Sequence, residues 1–225
     1  MGKGKKLCSV LFVAGMLFGM TGCCITQEQA NKAALKRFEE RYGVDYEILY
    51  TEVIGDSREH RNEINIFVED YMEEGEKARI KSWKEKGKAV SSDDFFGFVI
   101  RDDYEERVKK IAEEEYQNVK VYADFSYCIV RNDALTINST LEDAYELGEK
   151  VFPDIDIVVV PDEGENAYQE KGERIANRLR EENLQGSIEI YPVSEEDMEK
   201  IDRMNMFDCV DVWGENVYSG DSYID

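Results

Sequence analysis

Apolar positions along the chain come in two rhythms that change over near Arg131. Ala30, Ala34, Leu35, Phe38 and Tyr42 recur at helical spacing and Gly43 supplies a stop, which predicts an opening helix. Val44, Tyr46, Ile48 and Tyr50 then alternate with mostly polar residues, the period of a half-buried strand. The polar cluster Gly55 to Arg61 reads as a turn, and Ile64, Ile66 and Val68 begin a second strand with Glu63, Asn65 and Glu69 on its other face. A loop over Glu73 to Glu76, centred near Gly75, leads into a third strand and sets Glu69 opposite Lys81 and Phe67 opposite Trp83. Phe95, Phe96, Phe98, Val99 and Ile100 are apolar on both faces and predict a central strand, with Gly97 letting a neighbour close in. Asp102 and Asp103 mark the next helix start, with Tyr104, Val108, Ile111 and Ala112 as its buried stripe. From Val119 to Ile129 the odd positions alternate as a long strand, and Cys128 points to the opposite face.

The second rhythm alternates helix and strand. Ser139 and Glu142 have capping-box spacing before Leu141, Ala144, Tyr145 and Leu147, and Pro153 ends that helix. Ile155 to Val160 is an apolar, β-branched strand. Beyond the turn Pro161 to Glu165, the longest helix, about 18 residues or ~27 Å, carries Tyr168, Gly172, Ile175 and Leu179 on one line, and Gly172 there predicts tight packing. Gly186 closes it, Ser187 to Val193 is a strand, Ser194 caps a short helix, and Phe207 to Trp213 completes the set. The fold class is α+β: an N-terminal helix plus a curled antiparallel sheet over residues 30–130, then an α/β-like half over residues 131–213 packed against it. No Pro- or Ser-rich linker separates the halves, and residues 214–225 read as a loose tail.

The first 22 residues follow a third pattern. Lys3, Lys5 and Lys6 precede an apolar run from Leu7 to Met20, about 14 residues against the roughly 20 that a spanning helix needs. Met20-Thr21-Gly22-Cys23 then resembles the lipobox of bacterial lipoproteins, with Met20 in place of the usual Leu. The resemblance implies cleavage before Cys23 and diacylglyceryl coupling to its thiol, on the extracytoplasmic face of the cell membrane. Cys24 is the rival site, and it would put Cys23 where the family has a small residue. Residues 23–29 are then a short polar tether. Residues 30–130, with Phe-Gly-Phe-Val-Ile-Arg before an acidic helix start, also resemble curled-sheet modules in cell-surface lipoproteins of Gram-positive bacteria, a likeness that carries no catalytic motif.

Without the signal, 203 residues remain with a net charge of −25. Such a chain is a poor partner for nucleic acid, whose phosphates require Lys and Arg, whereas a basic protein or peptide suits it. Lys77 to Lys88 is a local exception, basic around Trp83. It reads either as a headgroup site or as strand pairing that matches lysines to acids. Beyond the acylated region, Cys128 and Cys209 are available as a disulfide or as two buried thiols.

Candidate chemistry is sparse. His60 is the one histidine and lies in a charged turn, so neither a Ser-His-Asp site nor a Cys/His zinc site is favoured, and no catalytic or metal residues are assigned. No phosphate loop or dinucleotide fingerprint occurs, so no cofactor is expected. Asp162, Glu163, Glu165 and Asn166 cluster without EF-hand spacing and suit a helix N-terminus better than calcium. The expected function is a membrane-anchored binding or interaction module, an immunity or inhibitor protein being one form; the alternative is an extracytoplasmic hydrolase using carboxylates.

Overall fold

The structure, a computed structural model, describes residues 25–54, 61–160, 168–206 and 218–222. The lipobox with Cys23, the His60 turn, the acidic cluster at 162–166, the expected strand at 207–213 and Cys209 lie outside the described residues. The fold is α+β, with two four-stranded sheets.

Helix α1 (Gln27–Tyr42) begins at a complete capping box: Thr26 accepts from the Gln29 backbone N–H and the Gln29 side chain accepts from Thr26 N–H. It therefore starts three residues earlier than Ala30, which shortens the expected tether. Gly43, at φ 65°, ends it in the left-handed conformation. Ala34, Phe38 and Tyr42 pack on β2 (Arg61–Phe67) and β3 (Ala78–Glu85) through Ile64, Ile66, Ala78 and Ile80. With β1 (Glu47–Ile54) and β4 (Lys88–Asp93) these strands form an antiparallel meander in chain order. Lys86 and Gly87, at φ 50° and 78°, make the tight β3–β4 turn.

The β2–β3 hairpin exists, but in another register: Glu63, not Glu69, lies opposite Lys81, and Asn62 and Ser82 are partners. The cause is packing in the connection. Val68 and Met72 are buried in the first core and Tyr71 meets Phe95 edge to face, so the strand ends at Phe67.

Phe95 to Ile100 is helical and not a central strand. Helix α2 (Phe95–Ala112) has 18 residues and starts at Asp94, so Asp102 and Asp103 lie inside it. An element apolar on both faces suits a helix wedged between two cores: Phe95 enters the first, while Phe96, Ile100, Tyr104 and Val108 enter the second. Gly97 does admit a neighbour, since a Cβ there would lie 2.2 Å from Phe125 Cβ.

Strand β5 (Val119–Asp124) is shorter than expected and ends in a turn, with Cys128 N–H bonded to Phe125 O at 2.8 Å. It belongs to the second sheet, so the division between halves falls at α2 and not at Arg131. That sheet runs β5, β6 (Asp154–Val159), β7 (Ser187–Pro192), β8 (Tyr218–Asp221). Strands β6 and β7 are parallel, which requires a crossover through α4 (Tyr168–Glu181); the other pairs are antiparallel. β8 corrects the expectation of a loose tail. Its Tyr218 ring occupies the space a Cβ at Gly172 would need, 2.4 Å from Cγ, which confirms the tight packing expected of that glycine. α4 has 14 residues in the described chain, fewer than α2. Helix α3 (Leu141–Glu146) is capped by Thr140 with Asp143, one residue later than Ser139 and Glu142. Helix α5 (Glu195–Lys200) is capped by Ser194 as expected.

The halves are joined by more than α2. Asp93 and Val130 exchange backbone hydrogen bonds of 3.3 and 2.8 Å. Arg41 Nη1 binds Asp93 at 2.8 Å and Arg41 Nε donates to Leu135 O at 2.6 Å, both buried.

Candidate functional site

Where the sheets meet, β3, α2, β5, β6 and the segment after α5 enclose a cleft of about 290 Å³. Its apolar wall is Phe98, Tyr122, Phe125 and Met206, and its charged groups are Glu76, Lys77, Arg79, Arg101, Asp124, Asp156 and Arg203. The strand period explains part of the set: Tyr122 and Asp124 face the same side of β5, and Asp156 lies opposite Tyr122 on β6.

Each arginine of the cleft already holds a carboxylate. Arg79 Nε lies 2.7 Å from Asp94, Arg101 Nη1 lies 2.6 Å from Glu76, and Arg203 Nη2 lies 2.6 and 2.8 Å from the two oxygens of Glu105. Burial pushes the Asp94 carboxyl up to about 6 despite Arg79. Burial likewise raises Glu105, with Arg203 and the Ala123 N–H opposing it. These pairs build a fixed wall across the seam.

Asp124 and Asp156 differ: among the described residues neither makes an ion pair. Asp124 accepts the Ser126 N–H at 2.7 Å. Asp156 neighbours Glu189 across β7, and Asp154 lies opposite Asp124, so four carboxylates share one face of three strands. Burial first, then Glu189 and Asp154, push Asp156 up to about 7. Asp154 is raised by burial and then by Asp124 and Glu189. Tyr191 donates to Glu189, and burial raises its phenol. Tyr127, 78% exposed, follows Ser126 of the lining and has Arg79 5.8 Å from its ring centre.

Cys128 is a free, buried thiol, pushed by burial up to about 12, and its sulfur accepts the Phe152 N–H at 3.3 Å. Among the described residues no group of three or more His, Cys, Asp or Glu is placed to hold a metal ion, and no helix is long and apolar enough to cross a membrane. The cleft was not singled out from the sequence, because its members come from positions 76 to 206 in separate elements. The one signal available was the odd acidic face of otherwise β-branched β6, at Asp154 and Asp156.

Fold and site together define a two-sheet α+β protein with a charged cleft between its halves. The chain is similar to the crystal structure of a DUF5037 family protein from Ruminococcus gnavus ATCC 29149, with a TM-score of 0.43 and 10% identity over 84% of this chain and 90% of that one. No family model matches the chain, and no curated protein matches it.

Proposed function

We propose that the protein is a membrane-tethered, extracytoplasmic binding module whose cleft receives a cationic group of a basic peptide or protein. The observation that supports this most is the imbalance inside the cleft: its arginines are neutralised by their own carboxylates and Lys77 donates to the Tyr50 hydroxyl, while among the described residues Asp124 and Asp156 make no ion pair. An ammonium or guanidinium entering there meets two carboxylates beside the apolar wall of Phe98, Tyr122 and Phe125, a combination that favours cations. An immunity or inhibitor protein that covers a basic partner is one form of this reading. Tethering rests on the lipobox resemblance at Cys23, and Cys23→Ala is expected to release the protein or leave an unprocessed precursor; normal lipid labelling of that variant would refute it.

Calorimetric titration with lysine- and arginine-rich peptides tests the cleft. Asp124→Asn and Asp156→Asn should each weaken binding roughly ten-fold, in the range of a lost charge-assisted contact. Equal binding of acidic and basic peptides would sink the proposal. One observation favours the alternative, a carboxylate hydrolase: an Asp156 carboxyl near 7 is suited to general acid work beside Asp124. That reading requires turnover of a substrate that Asp156→Asn abolishes while binding survives.

A further inference from the structure

We propose that the β3–β4 hairpin tip, with Lys84, Lys86 and Lys88, rests on anionic phospholipid and orients the tethered body on the membrane. This builds on the reading of Cys23 as the lipid anchor. The observation behind it is where the chain enters the fold. Gln27, the first residue of α1, donates through Nε2 to Ser82 O and Oγ at 3.4 and 3.2 Å, and Asn31 Oδ1 accepts from Ser82 Oγ at 2.5 Å. From there α1 runs away from the tip, reaching Asp93 through Arg41 and Tyr42. Gln27 also shares a surface groove with Lys84, Asn62 and Val53, the last 76% exposed. Only four residue steps separate Cys23 from Gln27, at most about 14 Å of extended chain.

The tip thus lies at the end of the first sheet where the chain enters the fold, and its charge is opposite to that of the body. Lys84, Lys86 and Lys88 are exposed, and among the described residues none makes an ion pair. Glu85, opposite Lys88, leaves the tip at net +2, within a mature chain of −25. Anionic lipid attracts such a tip and repels the rest, which selects one orientation. The pairing register accounts for the other members of the basic stretch: Lys81 faces Glu63 and Arg79 binds Asp94.

The experiment uses the mature lipidated chain with Trp213→Phe, leaving Trp83 beside the tip as its tryptophan. Energy transfer from Trp83 to dansyl-labelled headgroups is read on phosphatidylcholine vesicles with and without phosphatidylserine. Transfer should rise with phosphatidylserine, and the rise should vanish at high salt and in Lys84→Gln/Lys86→Gln/Lys88→Gln. Lys86→Gln alone, at an exposed turn position, should remove part of it and guards against a folding defect in the triple variant. If the protein fails to float with neutral vesicles, the anchor is refuted and the orientation with it. If it floats but transfer ignores phosphatidylserine, or the rise survives in the triple variant, the hairpin contact alone is refuted.

Discussion

Asp156 shows what a single side chain contributes here. Its carboxyl is raised to about 7 by burial and by Glu189 and Asp154, so folding favours the protonated form. The stabilisation is complete below the unfolded value of ~3.9 and is lost as pH rises through about 7. After allowance for screening, the loss is roughly 2 kcal/mol. Asp156→Asn should therefore raise the urea midpoint at pH 8 and leave it nearly unchanged near pH 4; an equal shift at both would contradict the ionisation argument. Cation binding pulls the other way. A lysine side chain in the cleft favours ionised Asp156, so affinity for a basic peptide should increase from pH 6 to pH 8, measured by titration at constant ionic strength, and Asp156→Asn should flatten that dependence. A residue that costs stability at neutral pH and lies in a cleft is better explained by a ligand than by the fold. The acidic face of β6 marks the strand in the sequence but not the size of the shift, which comes chiefly from burial and from Glu189 on β7.

At the scale of elements, close packing decides between competing propensities. Gly172→Ala in α4 gains about 1 kcal/mol of helix propensity. The added methyl would sit 2.4 Å from the Tyr218 ring, and overpacking costs about 1 to 3 kcal/mol. A net loss of up to about 2 kcal/mol in urea unfolding is expected, and restoration by Tyr218→Leu would identify the ring as the cause. The glycine's role was legible from the helical line it shares with Tyr168, Ile175 and Leu179. The rest of the element map divides by the physics involved. Strands β6 and β7 and the cap at Ser194 lie in local pattern. The Phe95 to Ile100 run does not: an apolar stretch of six is ambiguous between strand and helix, and only the two cores on either side of α2 select the helix. The β2–β3 register was hidden for a related reason, since Val68, which alternates as a continuation of the strand, packs inward with Tyr71 and Met72 from the connection.

At the scale of the molecule, two sheets do not make two independent units. Phe95 and Phe96 are adjacent residues buried in different cores, and Arg41, Asp93, Val130 and Leu135 tie the halves at a second point. Thermal unfolding should be a single transition, with near- and far-ultraviolet dichroism coincident. Arg203→Leu strands Glu105, whose side chain is 15% exposed, without its cation, and should cost about 3 kcal/mol while the transition stays single; Glu105→Gln in the same background should recover part of it.

Strand β3 also sets a distance. Lys77 and Arg79 border the cleft just before and at its start, and Lys84 and Glu85 close its far end, so at about 3.3 Å per residue the cleft stands roughly 20 Å from the tip. With the tip on lipid, that stand-off exceeds the ~8 to 10 Å over which membrane charge reaches. A cationic partner then meets the cleft at its bulk concentration and not in the enriched layer above anionic lipid, so affinity measured in free solution should equal affinity on the vesicle.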